Sequence, residues 1–76
     1  MTEPRHIATV PKNASEEVRV ALTEFNGHEL VDVRIWAAFD NGGERHATKK
    51  GVSLSRKHLP ELIRALQAAE REASNG

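Results

Sequence analysis

Phe25, Arg34 and Trp36 are the residues of this chain whose types and spacing could do chemistry. They fall on one side of the alternation in FNGHELVDVRIW (residues 25–36), and large rings displayed in water are costly unless they have a task. Aromatic rings stack on nucleobases at about 1–3 kcal/mol per base, whatever the base, while arginine and lysine neutralise phosphates. Arg19 falls directly across from Arg34 once the two strands pair, and Arg45, Lys49 and Lys50 follow within one hairpin's reach. The chemistry on offer is the binding of unpaired nucleotides.

Two strands must position these groups. VRVALTEF (18–25) and HELVDVRIW (28–36) both alternate and are rich in β-branched residues, and Asn26-Gly27 between them is a strong two-residue hairpin turn. Such a turn fixes the register. One face then pairs Leu22 with Val31, Val20 with Val33 and Val18 with Ile35. The other pairs Phe25 with His28, Thr23 with Leu30, Ala21 with Asp32 and Arg19 with Arg34, and continues to Trp36. Two arginines directly across strands repel. Asp32, beside Arg34 and diagonal to Arg19, is placed to offset part of that repulsion. Glu24 and Glu29 project to the apolar side, so charge is sorted by face.

The remaining elements complete an α+β fold, a four-stranded antiparallel sheet followed by one C-terminal helix. Residues 1–6 read as a frayed terminus, IATV (7–10) as a short strand closed by Pro11, and PKNASEE as a loop. DNGG (40–43) is a second turn, ERHATKK (44–50) an exposed strand, and GVSL (51–54) its buried end. Strands thus occupy 7–54 and the helix 55–73 of a single domain, 1–76. Leu59, Leu62, Ile63, Leu66 and Ala69 form one apolar stripe, suited to covering the sheet's apolar face or a dimer contact. Pro60 implies that the first turn is 3₁₀ or that the regular helix begins near Leu59.

The totals narrow the class. With 76 residues a single core is marginal, and the absence of cysteine removes disulfides and thiolate metal sites. His6, His28, His46 and His58 are scattered, without the spacing a zinc site needs, so self-association is the remedy left and no cofactor is expected. Lys+Arg and Asp+Glu number 11 each, which excludes a protein holding nucleic acid by bulk charge alone. No apolar run is long enough for a membrane span and the N-terminus has no signal-peptide core, so the expected location is cytoplasmic and the Asn13-Ala14-Ser15 triplet reads as chance. No nucleophile–base arrangement, paired carboxylates or phosphate-cradling glycine loop points to an enzyme.

The same residues admit a plainer reading. A small protein can pack its lone Trp36 under a loop with Arg34 stacked on it, and Phe25 can simply staple the turn. Glu16, Glu17, Glu70, Arg71 and Glu72 read as solvated charges.

Taken together, Phe25-Asn26-Gly27, then Asp32-Val33-Arg34 with Trp36, then Lys50-Gly51-Val52-Ser53-Leu54 ahead of a leucine-rich helix, the sequence resembles the Positive Cofactor Four family of transcriptional coactivators over residues 17 to about 69. The resemblance implies a homodimer with curved antiparallel sheets and helices at the subunit interface. It also implies sequence-tolerant binding of single-stranded or partly melted DNA. By position, Phe25 and Trp36 resemble its stacking aromatics and Arg34 and Lys50 its backbone-contacting cations, while His28 stands where lysine is common. Only Trp36 follows the arginine, after Ile35, as in bacterial-type members, where eukaryotic members carry an aromatic pair. The loop from Ala37 to Thr48 is about one residue longer, and the Ser- and Lys-rich regulatory region of eukaryotic members is missing.

The expectation is therefore a homodimeric single-strand-binding accessory factor in transcription, replication or repair. It would be nucleoid-associated in a bacterium, with RNA and the transcription machinery as further partner classes. The alternative is a protein-interaction module that regulates transcription through the same face.

Overall fold

The computed structural model describes residues 4–39 and 43–75. Four strands, β1 (Arg5–Pro11), β2 (Glu16–Phe25), β3 (His28–Ala38) and β4 (Arg45–Ser55), form one antiparallel sheet in the order β1-β2-β3-β4. A 3₁₀ turn (Arg56–His58) leads into the helix α1 (Leu59–Asn75).

The central hairpin follows the alternation and its turn. Asn26 and Gly27 take φ of 51° and 80°, the left-handed pair a two-residue hairpin turn requires. Every pair expected from that turn is present, from Phe25↔His28 to Arg19↔Arg34, and Leu22↔Val31 to Val18↔Ile35. One step further, Glu17 pairs with Trp36.

The outer strands depart from expectation at their ends. β1 begins at Arg5, so Arg5 and His6 belong to the sheet edge, paired with Leu22 and Ala21. A bulge at Ile7 shifts the register between His6 and Ala8, and His6 Nε2 lies 2.8 Å from Thr9 Oγ1 across it. The β1–β2 loop closes on Asn13, whose Oδ1 accepts from the amides of Ser15 (3.0 Å) and Glu16 (2.8 Å), a side chain mimicking a backbone turn. The Asn13 amide also donates to the Glu16 carboxylate, which with the nearby Lys12 ammonium holds that carboxyl below its ordinary range.

In β4 the expected exposed strand and GVSL are one continuous strand, broken by a larger bulge. Arg34 pairs with Gly51 but Trp36 pairs with Ala47, so one residue of β3, Ile35, faces three of β4, Thr48, Lys49 and Lys50. Thr48 repairs the gap: its hydroxyl donates to Ile35 O (2.9 Å) and accepts from Lys50 N (3.2 Å). Gly51 is there because the strands approach closely, and a Cβ at that position would lie 2.5 Å from Val33 O and 2.7 Å from Arg34 Cα. Residues 40–42 of the expected DNGG turn lie outside the described residues.

The helix begins as Pro60 implied. Ser55 caps the 3₁₀ turn and regular helix starts at Leu59, so the proline falls in a first turn where its missing N–H is not needed. The covering role expected of its stripe is not fulfilled within the chain. Arg56 fixes the 3₁₀ turn to the hairpin by donating to Leu30 O (3.1 Å) and Thr23 O (3.0 Å), and α1 then makes only marginal contact with the strands. No helical residue is buried, and Ile63 and Leu66 are 49% and 62% exposed. Val52, expected in a buried strand end, is exposed as well. Among the described residues, the buried apolar side chains are Val31 and Ala37 alone, so the core of one chain is thin.

Candidate nucleic-acid interface

The face that carries Trp36 is organised around two carboxylates. Strand parity aligns Glu17, Arg19, Ala21, Thr23 and Phe25 of β2 with Trp36, Arg34, Asp32, Leu30 and His28 of β3. The Arg19–Arg34 juxtaposition is resolved by giving each guanidinium its own acid. Asp32 accepts from Arg34 Nε (3.2 Å) and Nη2 (2.9 Å), and Arg34 Nη1 donates to Thr48 O (3.0 Å). The bond to Asp32 raises the Arg34 pKa further, so this guanidinium stays charged.

Arg19 is held from the other side. Its Nε donates to Glu17, and its guanidinium carbon sits 4.1 Å from the centre of the Trp36 ring. The cation on the indole is thus Arg19, not Arg34. Trp36 is only half-buried, so it is not sealed under a loop. Glu17, expected to be solvated, is 8% exposed and also binds Arg45 Nη1 at 3.1 Å. Arg45 continues to the carbonyls of Ala14 (3.0 Å) and Ser15 (3.4 Å), stitching β4 to the β1–β2 loop.

A shallow groove of about 250 Å³ runs beside this cluster, between Pro4 and His6 on one side and Trp36, Arg19 and Asp32 on the other, over a floor of Ala21 and Thr23. Small floor residues leave room for a flat ring next to the indole.

The other expected site residues lie further out. Phe25 and His28 sit at the hairpin tip, where Phe25 is 67% exposed. At about 3.3 Å per residue the tip lies at most roughly 26 Å along the ribbon from Trp36, too far for both rings to serve neighbouring bases. Lys49 and Lys50 are exposed on the β4 bulge. The structure therefore gathers Arg19, Arg34, Trp36 and Arg45 toward the end of the ribbon opposite the Asn26-Gly27 turn, and leaves Phe25 and His28 at the hairpin tip and Lys49 and Lys50 on the edge strand.

Glu17 and Thr48 are the components that sequence reasoning missed. Counting one more step outward from the Arg19–Arg34 pair would have found Glu17 opposite Trp36. No local pattern announces Thr48. The third ring, Phe39, is exposed and stacks on His46 with centroids 6.4 Å apart. His46 pairs with Ala37, which puts it on the apolar side of the sheet rather than beside Trp36. Among the described residues no three His, Cys, Asp or Glu side chains gather as a metal ion would need, and no helix is long and apolar enough to cross a membrane.

Comparison with known proteins agrees with this architecture. The family described as Transcriptional Coactivator p15 (PC4) matches residues 12–65, well over half of the chain. BPSL1147, a PC4 homolog from Burkholderia pseudomallei K96243, is similar in two crystal forms. The orthorhombic form shares 30% identity over 95% of this chain and 96% of its own, with a TM-score of 0.83. The tetragonal form shares 28% over 90% and 98%, with a TM-score of 0.81. The bacteriophage T5 homolog of PC4 has the same fold at 24% identity, covering 96% of this chain and 83% of its own, with a TM-score of 0.71. No curated protein matches. On the family match and the shared sheet-and-helix architecture, this chain belongs to the Transcriptional Coactivator p15 (PC4) family.

Proposed function

We propose that this chain is a homodimeric, sequence-tolerant single-stranded-DNA-binding protein that works as an accessory factor in transcription, replication or repair. The observation that carries the reading is the division of the sheet. Trp36, Arg19 and Asp32 line an open groove on one face, with Arg34 paired to Asp32 beside it, while the valines, Leu22 and Ile35 lie on the other. A base entering the groove stacks on the indole or on the guanidinium above it, and phosphates meet Arg34 and, at the margins, Lys49 and Lys50. Bases are available for stacking only in a single strand, which is the physical source of the preference over duplex. Phe25 offers a second ring several nucleotides away along the same strand. The PC4 homolog of bacteriophage T5 is described as implicated in recombination-dependent DNA replication, in keeping with this role.

What the chain leaves uncovered supports the homodimer. The helical stripe with Ile63 and Leu66, and the sheet face with Val52, need a second copy to leave water. Two copies then present two grooves, and a long strand that reaches both gains affinity through effective concentration.

The test is binding of a labelled oligo(dT) and a matched duplex to the wild type and to Trp36→Ala. Preference for the single strand, lost with the indole, supports the reading. Equal binding of both, or a variant that binds oligo(dT) as the wild type does but no longer captures a protein partner, favours the interaction module instead.

A further inference from the structure

Arg19 in the groove and its neighbours Arg34 and Arg45 are already occupied. Glu17 is shared by Arg19 and Arg45, and Asp32 is taken by Arg34 through two guanidinium nitrogens. Glu17 is 8% exposed, whereas the Arg19 side chain it holds is 31% exposed. The acid therefore lies beneath its cation, where a ligand cannot readily wash it away, and the guanidinium lies above it against Trp36. A phosphate that approaches Arg19 meets a charge already offset in part from below, and so it gains less than from a free guanidinium.

We infer that Glu17 is a specificity-determining residue: by offsetting one of the two positive charges of Arg19 and Arg45 from beneath, it weakens phosphate-only binding and leaves base stacking on Trp36 as the main way to hold a ligand. The inference rests on the proposed single-strand reading and deepens it. A duplex displays phosphates but hides its bases, so partly offset arginines penalise duplex more than an unpaired strand. The same logic applies to any polyanion without exposed rings. It also fits the whole chain, whose 11 basic and 11 acidic residues give no bulk attraction for nucleic acid. Discrimination here comes from a carboxylate that weakens the wrong ligand, rather than from a contact that strengthens the right one.

Glu17→Gln keeps the shape and a hydrogen-bond acceptor for Arg19 while removing the charge. Affinities for oligo(dT), matched duplex and heparin are measured for wild type and variant across a salt series, with circular dichroism confirming the fold of each. In the variant, duplex and heparin should bind about fivefold tighter or more at low salt, with the duplex salt slope steeper by about one unit for each phosphate newly engaged. Oligo(dT) should gain less, so the ratio of single-strand to duplex affinity falls. Adding Arg19→Gln should return duplex affinity most of the way to the wild-type value, which ties the gain to the released guanidinium.

A wild type that prefers oligo(dT) while the folded variant keeps the same ratio and salt slopes overturns this inference and leaves the single-strand reading standing. A variant that fails to fold shows Glu17 to be a structural clamp and likewise overturns it. A wild type with no single-strand preference overturns the reading, and the inference with it.

Discussion

The two faces of this sheet solve the problem of water in opposite ways. On the Trp36 face, polar groups find partners inside the chain: Glu17 with Arg19 and Arg45, Asp32 with Arg34, and Thr48 with the opened ladder of β3. On the other face, the valines, Leu22 and Ile35 line up across β2 and β3, yet the helix built to cover such a surface stays largely clear of it. A charged face can be completed locally because hydrogen bonds and ion pairs need only one or two neighbours. An apolar face needs area, and 76 residues do not supply enough of it. The face that looks harder to stabilise is thus finished within the chain, and the face that looks easy is left uncovered by it.

The largest expected effect breaks both faces at once. Gly51→Val would drive a side chain into Val33 O and Arg34 Cα, separating β3 from β4 beside the bulge. It should abolish cooperative thermal unfolding by circular dichroism at temperatures where the wild type is folded.

Next comes the apolar face alone. Leu66→Glu places a charge on the exposed helical stripe. Sedimentation should show loss of the dimer, and the wild type, unlike the variant, should melt at a temperature that rises with protein concentration.

The polar face responds more narrowly. Trp36→Ala should weaken oligo(dT) binding at every salt concentration by about 1–3 kcal/mol, roughly five- to 150-fold, without changing the salt slope. The indole is half-buried against Arg19, so some loss of stability should accompany it, separable by comparing melting curves.

The smallest effect expected is that of Arg34→Gln. Its charge is shared with Asp32, so its removal should flatten the salt dependence of binding by about one unit or less. A larger change in slope would mean that the Asp32–Arg34 pair opens fully when a strand binds.

How far the sequence could be read follows the same division. Strict alternation and Asn26-Gly27 determine the central hairpin because both are local signals, and they agree on one register. Pro60 betrayed the 3₁₀ entry to the helix for the same reason. What escaped is non-local. The role of Glu17 depends on Arg45, 28 residues away on another strand, and the anchoring of Arg56 depends on the carbonyls of Thr23 and Leu30. An apolar stripe says that a helix face is suited to being covered but not by what, so the sequence leaves sheet cover and dimer contact both open, and within the chain α1 does not cover the sheet.

Binding of unpaired bases on the Trp36 face is open to direct measurement. Trp36 is the sole tryptophan, so its emission reports on that face alone. Titration with oligo(dT) should quench it saturably, and matched duplex at the same nucleotide concentration should do so weakly. Emission that oligo(dT) leaves unchanged, while a labelled strand is seen to bind, would locate the site elsewhere on the molecule and contradict the account.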